Sequence, residues 1–327
     1  MTLQIGFVGT GGFTRFHCNL LSKMEGVQVR AFCATRLEKA EQAAADWNGA
    51  VGYDSLTLML DQQKLDAVFV CVPPMAHGEI EYALIERGIP FLLEKPLGLD
   101  LLQPADIASR IQARPLITSI GYHFRYMDST QRALELLKDR TVGMALGYWM
   151  GSMPKVPWWR RQDGSGGQFI EQTSHMVDLL RYTMGEVKEV YAAYANRVMH
   201  EKEDGVTTPD VGTVTLKLVS GAVATISNTC ILPGSGPIGL HVYTDQGVLE
   251  LSDKSLKEIS RASVCEYANQ NNPYVREHEA FFHAVRTGDN SRILSTYADS
   301  LRTQAVTTAA LHSAASGLPV RLDEFSG

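Results

Sequence analysis

The sequence predicts an α/β fold with two domains. A doubly wound parallel sheet occupies residues 1–122, and a second α/β domain with antiparallel strands occupies residues 123–327. Three observations carry this reading. Short apolar runs alternate with helical stretches up to Tyr122, a glycine-rich turn follows the first run, and beyond Tyr122 neighbouring runs are joined by tight turns.

The first run, "LQIGFVG", ends in glycine and precedes a helical stretch from about Arg15 to Met24. "VQVRAFC" is a second strand, followed by the helix-rich "RLEKAEQAAADW". "DAVFVCVPP" is a third, stopped by two prolines that cannot donate to a ladder. The helix "HGEIEYALIERG", the strand "IPFLLE", a helix from about Asp100 to Ala113 and the extended "PLITSIGY" continue the series. Strands separated by such helices pair in parallel through right-handed crossovers, and these sheets bind ligands at the carboxyl ends of their strands. After a helix from about Met127 to Lys138 come "VGMALGYWM", a loop rich in Trp, Arg and Gly from Gly151 to Gly167, and a helix carrying "GGQFIEQTSHMVD". "DVGTVTLKLVSGAVATISNTCIL" and "IGLHVYTDQGVLEL" then read as extended segments turned at Ser-Gly and Gln-Gly. Two helical stretches, about Tyr274 to Thr287 and Ser295 to Ala315, close the chain.

Composition narrows the function classes. Apolar residues make up 45% and charged residues 20% of the 327 positions, an ordinary globular balance with ample material for a core. A formal net charge of -6 argues against nucleic-acid and anionic-membrane partners. No apolar segment approaches bilayer-spanning length, and the N-terminus lacks the basic and apolar regions of a signal peptide. Five scattered cysteines without a CxxC pair read as reduced thiols, so the expected location is the cytoplasm.

"GFVGTGGFT" places Gly9, Gly11, Gly12 and Phe13 between the first strand and the first helix. Gly9 permits the tight turn, and Gly11 lets backbone N–H groups approach a pyrophosphate; Thr14 replaces the usual third glycine. At the end of the second strand an NAD site places an acid for the ribose, but here Ala34 and Thr35 stand there and Arg36 follows. No carboxylate repels a 2′-phosphate, and a guanidinium can bind one bidentately, which favours NADP over NAD. Arg36 also suits the exposed start of a helix.

"FLLEKPLG" sets Glu94, Lys95 and Pro96 at a strand end, where an ammonium can stabilise a substrate oxygen as hydride moves. The same residues also read as a surface ion pair. On a helix, Glu171, His175 and Asp178 share one stripe opposite Phe169, Ile170, Val177 and Leu180. That stripe is either a solvated face or the wall of a site in which His175 shuttles a hydroxyl proton.

Taken together, "GFVGTGGFTRFH", "VCVPPMAH", "EKP", "GYHFRY", "GGQFIEQTSHMVDLLRYTMGEV", "AFFHAVRTGD" and "SAASGLPVRL" resemble, in order and over almost the whole chain, the glucose–fructose oxidoreductase / inositol dehydrogenase / rhizopine catabolism family. The resemblance implies a Rossmann dinucleotide-binding domain and a C-terminal α/β domain with a large, mostly antiparallel sheet. It implies hydride transfer between NAD(P) and a hydroxyl or carbonyl of a sugar, inositol or related polyol, and a homodimer or homotetramer. It puts the family lysine on Lys95, the histidine on His175, and the preceding carboxylate, an aspartate in the family, on Glu171. Val72, Pro73, Pro74 and His77 fall in the segment beside the nicotinamide, and Tyr122 and Arg125 match a "GYxxR" stretch at the domain junction.

The loop "MPKVPWWRRQDGSGG" is the expected source of substrate selectivity. Trp158 and Trp159 offer faces for a sugar ring, Arg160 a cation for hydroxyls or an acid, and His123 a further contact. One of the tryptophans could equally cap the core. Asp178 is expected to orient or support the substrate side. "HEAFFH" mimics a zinc-protease signature, but His278 and His283 are five apart and point to different helix faces, so no metal is expected. Two other function classes fit the cofactor site: a non-catalytic dinucleotide-binding regulator, and a lyase or glycosidase that cycles tightly held NAD.

Overall fold

The computed structural model describes residues 2–325. The backbone forms two compact units that interleave along the chain. Unit 1 runs to Leu97 and adds Gln103–Gly121 and Glu277–Ala298; unit 2 takes Gly98–Leu102, Tyr122–Arg276 and the chain from Asp299 on.

Unit 1 is built from β1 (Leu3–Val8), α1 (Gly12–Leu21), β2 (Val27–Cys33), α2 (Leu37–Ala44), β3 (Val51–Tyr53), α3 (Leu56–Gln62), β4 (Ala67–Val70), α4 (Glu79–Arg87), β5 (Phe91–Leu93), α5 (Leu102–Ala113) and β6 (Thr118–Ile120). The six strands pair in parallel in the order β3-β2-β1-β4-β5-β6, the Rossmann arrangement. Buried on both faces, β4 and β5 read as unbroken apolar runs and not as alternating ones. The edge strand β3 and helix α3 escape sequence reading because three residues, "VGY", are too few to show a period.

Unit 2 contains α6 (Asp128–Leu137), β7 (Val142–Met150), α7 (Gln162–Ser165), α8 (Gln168–Glu171), α9 (Ser174–Met184), β8 (Val187–Ala195), α10 (Met199–Lys202), β9 (Val211–Leu218), β10 (Val223–Thr229), β11 (Ile238–Thr244), β12 (Gly247–Ser252), β13 (Ser255–Ile259) and β14 (Val264–Ala268). The chain then runs through α11 (Pro273–Thr287), α12 (Tyr297–Ser316) and β15 (Val320–Arg321). Nine strands form one sheet in the order β14-β13-β12-β11-β7-β10-β9-β8-β15. All its pairs are antiparallel except β7 with β10. One face is apolar and packs on helices, with Ala133 of α6, Met176, Val177 and Leu180 of α9, and Val306, Ala309 and Ala310 of α12 in its core.

The last part of α11 joins unit 1 for a plain reason. Phe281 and Phe282 lie 5.9 and 6.0 Å from Phe69 of β4, in the same aromatic core as Phe7 and Phe32. A linear division of the chain near Tyr122 does not capture this return. Among the described residues no helix is long and apolar enough to cross a membrane.

Candidate active site

The turn between β1 and α1 fits a dinucleotide phosphate. Gly9 has φ of 97°, and a Cβ there would lie 2.2 Å from the Cys71 carbonyl oxygen, so only glycine is accommodated. Cβ atoms at Gly11 and Gly12 would meet open space. Gly11 caps α1 without a side-chain bond, and the first turn holds no acid, which leaves a helix N-terminus ready for an anion. Thr14, at the missing third glycine, is buried and donates its hydroxyl to the Gly9 carbonyl at 3.0 Å. Phe13 is 50% exposed. Ala34 and Thr35 follow β2, and Arg36 is the exposed N-cap residue of α2 with no side-chain capping bond.

Val72, Pro73 and Pro74 follow β4, with Pro74 opening a short 3₁₀ turn. His77, next in line, is buried. Its Nδ1 lies 2.7 Å from Glu81, whose other oxygen accepts from the Gly78 N–H at 2.5 Å. Glu94 and Lys95 follow β5, joined to Pro96 by a cis peptide. Lys95 is half-buried. Glu94 is buried and lies 2.9 Å from His17 Nε2.

In unit 2 the expected single helix is broken. The chain turns at Gly166 and Gly167 with φ of 71° and 90°, forms α8, and restarts as α9 after Thr173. The positive φ at both glycines permits this backbone path. Because α9 is buried on nearly all sides, the polar stripe is not a solvated face. His175 is 5% exposed and sits among aromatic rings. Phe124 and Trp149 stack with it at 5.2 and 5.7 Å, and Tyr122 and His123 stand edge-on at 5.7 and 5.0 Å. His123 in turn stacks on Tyr274 at 4.0 Å. Burial pushes the Tyr122 phenol up, and the nearby Asp178 carboxylate adds to the shift.

Glu171 is half-buried, and its carboxylate accepts from the Trp159 indole N–H at 2.8 Å. Trp159 is 1% exposed and clusters with Met153 and Cys230, so it presents no free face to a sugar ring. Trp158 is half-buried beside the same cluster. Arg160 pairs with Glu203 at 2.9 Å.

Two of the expected substrate contacts are corrected by burial. Arg125 and Asp178 are 3% and 1% exposed and bind one another bidentately, at 2.7 and 2.6 Å. Asp178 also accepts from Thr303 at 2.9 Å, and Arg125 reaches Asp299 at 2.5 Å. Burial alone would lower the Arg125 guanidinium, but Asp178 and Asp299 outweigh it and hold it above its ordinary value. Both side chains are spent on the interior of unit 2.

Sequence reading missed His17, Phe124, Trp149 and Thr303, and set His278 aside as half of a failed metal signature. None lies in a local spacing pattern with its partners; His17 and His278, for example, are 261 positions apart. Among the described residues no group of three or more His, Cys, Asp or Glu could hold a metal.

Comparison with known proteins agrees with this fold. The model of the "Oxidoreductase family, NAD-binding Rossmann fold" matches residues 3–122, and that of the GFO/IDH/MocA C-terminal domain matches residues 139–250. D-xylose 1-dehydrogenase (NADP(+)) 2 of Haloferax volcanii is 26% identical over 98% of this chain and 100% of its own. Myo-inositol 2-dehydrogenase of Thermotoga maritima is 24% identical over 69% of this chain and 68% of its own. An oxidoreductase from Agrobacterium radiobacter, solved with NAD+, L-tartaric acid and magnesium, matches with a TM-score of 0.86 over 99% of each chain at 16% identity, a likeness of fold alone. With a matching glycine turn, sheet order and both domain models, the chain is a member of the Gfo/Idh/MocA family and an NAD(P)-binding oxidoreductase.

Proposed function

We propose that this enzyme moves hydride between NADP and a hydroxyl-bearing carbon of a sugar, inositol or related polyol. The observation that carries the reading is the pair in unit 2: a caged imidazole, His175, and a more exposed carboxylate, Glu171, oriented by an indole N–H. A purely structural acid has no need of that orientation at a half-exposed position. Relatives named for xylose and inositol support the substrate class.

The nicotinamide, when bound, takes or gives the hydride. In the oxidative direction His175, in unit 2, is the proposed acceptor of the substrate hydroxyl proton, and Lys95, in unit 1, the proposed ammonium that stabilises developing negative charge on a substrate oxygen. Glu171 holds the substrate or His175 in register, and Trp159 holds Glu171. Tyr122 and His123 wall His175, so their part is to shape the site. Trp158 and Arg160 remain the proposed selectivity loop.

The NADP preference rests on the absence of an acid at Ala34 and Thr35 and on exposed Arg36. A groove of about 720 Å³ beside α1 and α2 is lined by Thr10, Gly11, Arg15, Lys39 and Asp46 among others, and so carries two cations and one carboxylate. We further propose assembly of two or four copies through the open sheet face. There Met144, Leu146, Tyr191 and Val223 are 38%, 38%, 46% and 47% exposed. Light scattering of the purified chain reads this directly, and a monomer at micromolar concentration removes it.

A panel of sugars, inositols and sugar acids, offered with NAD and with NADP, tests the function through the absorbance of reduced nicotinamide. The expected result is cofactor reduction with at least one polyol, faster with NADP. Product without net cofactor change points instead to an internal redox cycle, and no product at all to a regulator.

A further inference from the structure

Three titratable side chains stand in single file inside unit 1. Glu94 follows β5, His17 lies on α1, and His278 lies on α11. His17 Nε2 is 2.9 Å from Glu94 Oε1, and His17 Nδ1 is 2.8 Å from His278 Nε2. Both imidazoles are fully buried, and Glu94 is 6% exposed. The surrounding box is aromatic: the Phe69 ring stands edge-on to both imidazoles, at 5.6 and 5.2 Å. Gly121 makes room for the carboxylate, since a Cβ there would lie 2.9 Å from its atoms.

Donor counting sets the proton positions. His278 Nδ1 has no hydrogen-bond partner among the described residues. An imidazole lone pair is cheaper to bury alone than an N–H without an acceptor. The His278 hydrogen therefore sits on Nε2 and is donated to His17 Nδ1, and the His17 hydrogen sits on Nε2 and is donated to Glu94. Every N–H in the file points toward the carboxylate. Burial holds His278 well below its ordinary value, consistent with a neutral ring. The adjacent thiols are uncharged as well: burial and Glu94 push Cys71 up, and burial pushes Cys18 up to about 12.

We propose that His278 and His17 are positioning residues, a one-way file of donors that fixes the Glu94 carboxylate and thereby sets the adjoining Lys95. The inference rests on Lys95 serving the substrate oxygen. A buried carboxylate needs donors, and a chain of hydrogen bonds that all run one way polarises toward its anionic end. Glu94 and Lys95 share a peptide bond, and the Glu94 N–H is tied to the Val70 carbonyl at 2.9 Å, so displacement of the carboxylate is passed to Lys95.

Histidine-selective 15N labelling of the full chain reads the tautomers without any ligand, with His17→Gln and His278→Gln assigning the signals. The expected spectrum shows both rings as the Nε2–H tautomer. An Nδ1–H tautomer at either ring overturns the proposal. Reductive 13C-dimethylation of the lysines, with Lys95 assigned by Lys95→Arg, reads the far end. His278→Leu should shift the Lys95 signal, and His278→Gln, which keeps an N–H for His17, should restore it; an unmoved signal, or equal shifts in both, overturns it. Should His278→Leu not fold, the tautomers of the unaltered protein decide alone. Turnover of Lys95→Ala on the polyol panel tests the underlying role separately: near-normal turnover removes that role and leaves the tautomer result intact.

Discussion

Unit 1 and unit 2 each bury a line of charged or titratable side chains, and the two lines are wired differently. In unit 2, Arg125, Asp178, Thr303 and Arg181 form a branched lattice in which Arg181 also grips Glu186 at 2.9 and 3.0 Å. Its guanidiniums present several donors and its carboxylates are each met by more than one of them. In unit 1 the file from His278 through His17 to Glu94 has one bond per link and ends next to Lys95. A branched lattice of ion pairs serves stability; a single file transmits position. Burial alone does not distinguish them. The number of donors per acceptor does.

The strongest way to break this comparison is to remove the centre of the lattice. Asp178→Ala takes the bidentate carboxylate from the buried Arg125 and should cost about 3 kcal/mol or more of stability. Urea unfolding measures this, while the Michaelis constant of whatever fraction folds should stay near that of the parent. A loss of turnover with unchanged stability would return Asp178 to the substrate side.

Next in size is Lys95→Ala, which should reduce turnover by roughly 10²–10³-fold with little change in cofactor affinity. Fluorescence titration of reduced cofactor and steady-state rates separate the two quantities. Arg36→Ala follows: a lost charge-assisted contact of about 1.5–3 kcal/mol should weaken NADP by roughly tenfold or more and leave NAD unchanged. Equal effects on both cofactors would mean that Arg36 reads no phosphate.

Trp159→Phe keeps an aromatic ring but loses the second ring of the indole together with its N–H to Glu171. Because Glu171 is half-exposed and water can substitute, turnover should fall only about threefold to tenfold. The smallest expected effect is a pH dependence. Asp210 accepts from the backbone N–H groups of Arg197, Val198 and Met199 at 2.8, 2.7 and 2.7 Å. Burial would raise it, but these bonds outweigh burial and hold it below its ordinary carboxylate value. A lowered folded-state value means the stabilisation is present above the unfolded carboxylate range and is lost as pH falls through the folded one. The stability gap between the parent and Asp210→Asn should therefore be full at neutral pH and shrink in acid, as denaturant melts at several pH values would record.

The sequence by itself determined the parts that repeat locally. The glycine turn at Gly9–Gly12, the alternation of strand and helix and the antiparallel runs of unit 2 all rest on backbone propensity and short spacing, which survive in one dimension. So did Lys95, Glu171 and His175 as candidates, each in a contiguous motif. Tertiary structure alone decided which polar side chains are spent on the interior. Asp178 shares a stripe with His175, yet Thr303 and Arg125 arrive from distant segments and neutralise it. Trp159 looks like a sugar platform until its ring is seen buried and its N–H committed to Glu171. His278 passes for half of a failed metal motif until α11 carries it to His17. The physical reason is the same each time: the free energy of a buried polar group depends on its partners, and partners brought together by folding leave no trace in the spacing of either segment.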